Sequence, residues 1–132
     1  MPRIVLVEED ATTRRRAAEV LAAADYQVDR CPEPGAAFAC ACRTQPDLVI
    51  LDVAASSRRV GYRVLNQLKQ QEETQAIPVL LAAPATPTLA RDRRVLAERG
   101  VHLLPHPVSP SELPRWVAEI LASRPAAEEV LT

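Results

Sequence analysis

The chain has 132 residues, of which 48% are hydrophobic and 25% are charged, a balance typical of one soluble globular domain with its own core. Its 16 basic and 17 acidic side chains leave a formal net charge of −1, so charge gives no reason to expect direct contact with nucleic acid. No run approaches the ~20 apolar residues of a membrane span, and the N-terminus does not resemble a secretory signal. We therefore expect a cytoplasmic protein with no membrane partner.

Short apolar runs alternate with helical periodicity along the first half of the chain. The run at 4–7 is typical of a strand buried on both faces, and a helix is predicted over 12–24. A weaker strand at 26–28, whose polar alternation indicates a sheet edge, precedes a short helix predicted over 34–43. The strand predicted over 47–52 is the strongest strand signal in the sequence.

The second half continues the same alternation. A helix over 61–71 is followed by a buried strand over 78–83. A helix over 88–99 has a thin apolar stripe, and a short strand over 101–104 follows it. The helix predicted over 109–123 has the cleanest amphipathic stripe in the chain.

Five strands alternating with five helices predict an α/β fold with a parallel sheet. We expect a flavodoxin-like, doubly wound (βα)5 three-layer sandwich with strand order 2-1-3-4-5. The domain is predicted over residues 1–124, and residues 125–132 are interpreted as a C-terminal tail or the start of a linker. In such folds the functional site lies at the carboxyl ends of the central strands.

Acidic residues follow the first and third predicted strands, at this same edge of the sheet. Glu8, Glu9 and Asp10 come after the first strand, and Asp52 ends the third. Carboxylates that converge on one crevice repel each other, and a divalent cation such as Mg²⁺ is the natural way to keep them ionised together. The alternative is that these acids solvate a loop or begin a helix, for which Asp10 is a suitable N-cap.

Five stretches resemble, in order and spacing, the CheY-like receiver domain of two-component response regulators. Residues 4–10 (IVLVEED) resemble its first strand and acidic pair, and residues 47–52 (DLVILD) resemble its third strand with the terminal aspartate. Residues 61–69 resemble its third helix, and residues 77–81 resemble its fourth strand. Residues 100–107 resemble its fifth strand and the Lys-Pro pair that ends it. The resemblance implies a module of phosphorelay signal transduction, not an enzyme.

The resemblance also assigns roles to individual residues. Asp52 matches the aspartate that a sensor histidine kinase or a phosphotransfer protein phosphorylates. Glu8 and Glu9 match the acidic pair that holds Mg²⁺ together with Asp52, and Ala54 falls where a backbone carbonyl completes the metal's coordination. His106 stands at the position of the lysine that contacts the phosphoryl group.

Several departures from the family pattern fall on the same pocket. Ala83 replaces the Ser or Thr that bonds the phosphoryl group, and His106, shorter than lysine and mostly neutral at neutral pH, replaces that lysine. Leu103 stands at the position of the aromatic switch residue. Glu9 is longer than the usual aspartate, so Mg²⁺, which requires near-octahedral geometry, is expected to bind weakly or through water.

Two functions remain open from the sequence. One is an atypical receiver that accepts a phosphoryl group on Asp52 but switches poorly. The other is a pseudo-receiver, a protein-binding module that works without phosphorylation. A flavin or nucleotide binder is disfavoured, because the turn after the first strand, residues 8–12, is acidic and would repel a phosphate.

Two charged surfaces are candidates for protein contacts. The run Arg14, Arg15 and Arg16 opens the first helix, either as a docking face for a kinase or phosphotransfer helix or as an ordinary solvated face. The predicted fourth helix is charged and thinly apolar, and we expect a homodimer through helices 4 and 5, although exposed ion pairs alone contribute little to it.

Overall fold

The computed structural model describes residues 1–52, 58–84, 86–105 and 108–123. Within these residues, five strands and five α-helices alternate along the chain. They are β1 (Arg3–Val7), α1 (Ala11–Ala23), β2 (Gln27–Cys31), α2 (Ala37–Thr44), β3 (Leu48–Asp52), α3 (Arg58–Gln70), β4 (Val79–Ala83), α4 (Pro87–Glu98), β5 (Val101–Pro105) and α5 (Leu113–Ala122).

The strands form one parallel sheet in the order β2-β1-β3-β4-β5. The predicted flavodoxin-like fold and its strand order are therefore confirmed, and β2 lies at an edge as its polar alternation indicated. Strand β1 lies between β2 and β3, and Val7 is in register with Cys31 on one side and with Leu51 on the other. The carboxyl ends of β1 and β3 are thus neighbours.

Helices cover both faces of the sheet, because successive residues of each strand point to opposite faces and both sets are apolar. On one face, Val5 and Val7 pack with residues of α2 and α3. On the other face, Ile4 and Leu6 pack with residues of α1 and α5. Buried strands of this kind form a rigid platform for the residues that follow them.

Some element boundaries differ from those predicted. Strand β2 extends to Cys31, because its whole length pairs with β1. Helix α3 begins at Arg58, three residues before the predicted start. Helices α2 and α5 begin after short 3₁₀ turns, Pro34–Ala36 and Pro110–Glu112, in which proline occupies an early position and has no N–H to donate.

The thin apolar stripe predicted for the fourth helix is consistent with the described side chains of α4. Most of these are exposed, Leu96 is partly buried, and Val95 is 49% exposed. In the part of the chain that the structure describes, no helix is both long and apolar enough to cross a bilayer. Residues 125–132 lie outside the described residues, so the domain boundary stays a prediction.

Candidate functional site

Two carboxyl groups meet at the carboxyl ends of β1 and β3. Asp52 is the last residue of β3 and is half-buried, while Glu8 follows β1 directly and is only 7% exposed. The register between Val7 and Leu51 brings the next residue of each strand side by side. The carboxyl groups of Glu8 and Asp52 are joined by a hydrogen bond.

The contact between the two carboxyl groups changes the acidity of Glu8. Burial, the hydrogen bond with Asp52 and the negative charge of Asp52 together raise the pKa of Glu8 from 4.5 to about 8. The backbone N–H of Asp10 donates to the Glu8 carboxyl and opposes this rise. Without a cation, Glu8 is therefore largely protonated at neutral pH.

The walls around the two carboxyl groups explain why Glu8 is desolvated. A cavity of about 20 Å³, room for about one water molecule, borders both groups. Its other lining side chains are mostly apolar and include Leu6, Ile50 and Leu113. An apolar wall cannot replace the hydration of a carboxylate, so the pair favours a proton or a cation.

The other two acids of the β1–α1 loop have different surroundings. Glu9 and Asp10 are both exposed. Asp10 is the N-cap of α1, and its Oδ2 accepts hydrogen bonds from the Thr13 backbone N–H at 2.8 Å and from the Thr13 hydroxyl at 2.7 Å. These bonds lower the pKa of Asp10. The N-cap interpretation of Asp10 is confirmed, and it fixes the loop to the first turn of α1.

Arg14 contacts the acidic loop from the first turn of α1. Its Nη1 donates to the backbone oxygen of Glu8 at 2.9 Å and to that of Glu9 at 3.3 Å. Arg14 is half-buried, whereas Arg15 and Arg16 are exposed. The run of three arginines in the sequence does not by itself predict this contact. Its signal was the place of Arg14 in the first turn, since helical side chains lean toward the helix N-terminus.

Ala83 and Leu103 occupy the positions in β4 and β5 where the family pattern places a hydroxyl group and an aromatic ring. Ala83 is buried at the end of β4, and Leu103 of β5 is partly buried. A cavity of about 50 Å³ lies between β4, β5 and α4 and is lined by Ala83, Pro84, Thr86, Ala90, Arg93, Leu103, Leu104 and Pro105. This is the space that a hydroxyl and an aromatic ring would partly fill.

The described donor set fits Mg²⁺ in its chemistry. Glu8 and Asp52 supply carboxylate oxygens that border the same small cavity, and Glu9 follows Glu8 on the same loop. Mg²⁺ is commonly held by one or two carboxylates and keeps several waters. Among the described residues, no group of three or more His, Cys, Asp and Glu side chains is gathered closely enough to hold a metal. Ala54 and His106 lie outside the described residues, so their roles stay predictions.

Comparison with known proteins identifies a family over most of the chain. Residues 4–118 match the family model of the response regulator receiver domain. A response regulator from Chloroflexus aurantiacus is 27% identical, with a TM-score of 0.72, over 92% of this chain and 98% of that one. The signal receiver domain of a histidine kinase from Syntrophus aciditrophicus is 25% identical, with a TM-score of 0.73, over 96% of each chain. Chemotaxis protein CheY4 of Vibrio cholerae is 20% identical, with a TM-score of 0.73, over 91% of this chain and 98% of that one. At this identity the likeness supports the fold alone.

Two curated relatives match a shorter stretch. Protein PilH of Pseudomonas aeruginosa is 30% identical over 81 residues, which are 61% of this chain and 66% of PilH. The DNA-binding dual master transcriptional regulator RpaA of Synechocystis is 32% identical over 81 residues, which are 61% of this chain and 33% of RpaA. The aligned region spans less than two thirds of either relative.

Proposed function

We propose, from the premise that this chain belongs to the response regulator receiver family, that it accepts a phosphoryl group on Asp52 in two-component signalling. The donor is a phosphohistidine of a sensor histidine kinase or of a phosphotransfer protein. Membership of the family makes the chain a signalling module. The acceptor residue, the metal and the donor are what we propose beyond that.

One observation carries the proposal: the buried carboxyl of Glu8 is hydrogen-bonded to the carboxyl of Asp52 at the carboxyl edge of the sheet. At neutral pH, two such groups ionise together only if positive charge compensates them. A purely structural role would not require two acids at this point. A site that takes up a cation and then a phosphoryl group does require them.

The chemistry follows from the position of Asp52. One carboxylate oxygen of Asp52 attacks the phosphorus of the phosphohistidine, and the phosphorus–nitrogen bond breaks as the phosphorus–oxygen bond forms. The electron pair of the broken bond stays on the imidazole nitrogen. Glu8 must first release its proton, because a hydrogen bond from Glu8 would weaken Asp52 as a nucleophile.

Mg²⁺ would be held by Glu8, Glu9 and Asp52, and Ala54 would add its backbone carbonyl. When bound, Mg²⁺ supplies positive charge that offsets the carboxylates and the oxygens of the transferring group. The chain's own part is to hold Glu8 and Asp52 side by side at the ends of two paired strands.

We further propose that the response to phosphorylation is impaired or atypical. Ala83 cannot donate a hydrogen bond to a phosphoryl oxygen, and Leu103 has no ring to follow it. His106 at the lysine position supplies a shorter donor that is mostly neutral at neutral pH. Phosphoryl transfer itself depends mainly on positioning and charge, so it survives the loss of these groups better than switching does.

A second candidate function is a pseudo-receiver that binds a protein partner without phosphorylation. The observation in its favour is the cavity of about 50 Å³ next to Ala83 and Leu103, at the place where a phosphorylated receiver would register its signal. In this function the acidic pair at Glu8 and Asp52 would remain as a fold feature without chemistry.

Intact-mass measurement separates the two candidates. The chain is incubated with Mg²⁺ and acetyl phosphate, beside the Asp52→Asn variant, which keeps the size of the side chain. A mass gain of one phosphoryl group that occurs in the unchanged chain but not in Asp52→Asn supports Asp52 as the acceptor. Absence of that gain, together with no amide shift near Asp52 when beryllofluoride is added at high Mg²⁺, refutes it and supports the pseudo-receiver.

A homodimer through α4 and α5 is also proposed, because the apolar side chain of Val95 on α4 is 49% exposed. The charged pairs on these helices, Arg94–Glu98 and Arg115–Glu119, are both exposed at 3.8 Å and contribute little. Sedimentation of Val95→Asp should show a shift to monomer. Val60→Asp on α3, where the valine is 41% exposed, is the matched control and should leave the sedimenting species a dimer.

A further inference from the structure

We propose that Arg14 is a positioning residue of the acidic loop, which sets the direction of the Glu9 side chain relative to Glu8 and Asp52. This inference rests on the proposed function, because its consequence is the strength of Mg²⁺ binding. It assigns Arg14 to the site itself, apart from the exposed Arg15 and Arg16.

The two hydrogen bonds of Arg14 act on both sides of Glu9. The backbone oxygen of Glu8 belongs to the peptide plane before Glu9, and the backbone oxygen of Glu9 belongs to the plane after it. Arg14 Nη1 donates to the first at 2.9 Å and to the second at 3.3 Å. Because each peptide is planar, holding both planes fixes φ and ψ of Glu9 and with them its Cα–Cβ direction.

The rest of the loop and the helix give Arg14 a firm base. The Arg14 backbone N–H donates to the Asp10 backbone oxygen at 2.8 Å, and the Asp10 side chain caps the same turn. Ala17 and Ala18, one turn further on, are buried against the sheet. The guanidinium therefore acts from a helix that is itself packed.

Glu9 depends on this support more than Glu8 does. Glu8 is held by burial, by its bond to Asp52 and by its backbone N–H, which donates to the Cys31 oxygen at 3.1 Å. Glu9 is exposed, so ordering both its backbone and its side chain would cost entropy on binding a metal. A backbone that is already fixed removes the backbone part of that cost.

Positioning and simple electrostatics predict opposite signs. Arg14 is positively charged and lies against a site that takes up a cation, so removing its charge should by electrostatics alone tighten Mg²⁺ binding. If Arg14 positions Glu9, its removal should weaken Mg²⁺ binding in spite of that gain. Arg15→Gln removes the same charge from the neighbouring, exposed position and measures the electrostatic part alone.

The test is an amide-shift titration of the folded chain with MgCl₂, for the unchanged chain, Arg14→Gln and Arg15→Gln. We expect Arg14→Gln to bind Mg²⁺ about tenfold more weakly, as on loss of an outer partner at other metal sites. Arg15→Gln should bind equally or slightly more tightly. Urea unfolding of each variant shows that the titrated protein is folded. Binding by Arg14→Gln that equals or exceeds that of Arg15→Gln overturns the inference.

A second measurement keeps the inference separate from the proposed function. The amide order parameter of Glu9 is measured without metal, and it should fall from a rigid value near 0.85 to below about 0.6 in Arg14→Gln. If the unchanged chain fails to bind Mg²⁺, the proposed metal is refuted. Positioning by Arg14 is then decided by the order parameter, and an unchanged value in Arg14→Gln refutes it.

Discussion

Replacing Glu8 by glutamine tests the carboxyl pair through the pH dependence of stability. The Glu8→Gln variant keeps a polar side chain of the same length beside Asp52 and removes the proton that titrates. In the folded chain the pKa of Glu8 is raised from 4.5 to about 8. Between these two values the folded state therefore binds one proton more than the unfolded state. The stabilisation that this proton contributes is fully present below pH 4.5 and is lost as pH rises through about 8.

The size of the effect follows from the same values. The two pKa values differ by about 3.5 pH units, and each pH unit corresponds to about 1.4 kcal/mol, which sets an upper limit of about 5 kcal/mol. Asp52 is half-buried, so water screens the pair from one side. We therefore expect the free energy of unfolding to fall by about 2 kcal/mol between about pH 5 and about pH 9.

The assay is urea unfolding without Mg²⁺ across this pH range, for the unchanged chain and for Glu8→Gln. The variant should show a profile that is flatter by about 2 kcal/mol. Glu9→Gln is the matched control, because Glu9 is exposed, and it should keep the slope of the unchanged chain. Parallel profiles for the unchanged chain and Glu8→Gln would show that the pKa of Glu8 is not raised in the folded chain.

Magnesium adds a second arm to the same experiment. At high pH the pair is ionised, so a cation that binds only the folded state raises the free energy of unfolding by mass action. We expect Mg²⁺ to stabilise the unchanged chain more at about pH 9 than at about pH 6, where Glu8 holds its proton. Equal stabilisation at both pH values would contradict the involvement of Glu8.

Three further predictions concern other parts of the fold. Gly100→Ala should lower the free energy of unfolding by about 1–2 kcal/mol, measured in urea, because Gly100 has φ +78° and an added Cβ would lie 3.3 Å from Lys69 Nζ. Thr74→Val should lower the free energy of unfolding by about 1–2 kcal/mol. Thr74 is only 1% exposed, and its hydroxyl donates to the Leu68 backbone oxygen at 2.6 Å; Thr74→Ser is the control that keeps this bond. Ala83→Thr combined with Leu103→Tyr should partly fill the 50 Å³ cavity and enlarge the amide shifts of α4 on adding beryllofluoride; shifts no larger than in the unchanged chain would contradict this.

The fold was predictable because its signals are local and repeated. Residues 48–51 are continuously apolar, and so are residues 79–83, as strands covered on both faces must be. Strand β2 contains three polar residues among its five, as an edge strand that is partly open to solvent can. The starts of α2 and α5 were misplaced, because a 3₁₀ turn and an α-helix share the same turn residues and proline.

The site was predictable in position but not in detail. The sequence predicts that the acids after β1 and β3 come together, because the carboxyl ends of parallel strands lie at the same edge of the sheet. The sequence does not show which of the two adjacent glutamates contacts Asp52. Glu8 and Glu9 are identical residues, and they differ only in the direction in which their side chains point at the end of the strand. The contact of Arg14 with the loop depends on the angle at which α1 leaves the sheet, which no local pattern encodes.

The energetics of the carboxyl pair bear on which of the two candidate functions the chain performs. A buried acid that must hold its proton against an adjacent acid lowers stability at neutral and higher pH. A module that only binds a protein partner would be more stable with an apolar or amide side chain at Glu8. Completion of the pair by a cation would remove this cost, which favours the proposed phosphoacceptor over the proposed pseudo-receiver. In a phosphoacceptor, the cavity beside Ala83 would separate two events that the family pattern couples, acceptance of a phosphoryl group at Asp52 and its transmission through β4 and β5.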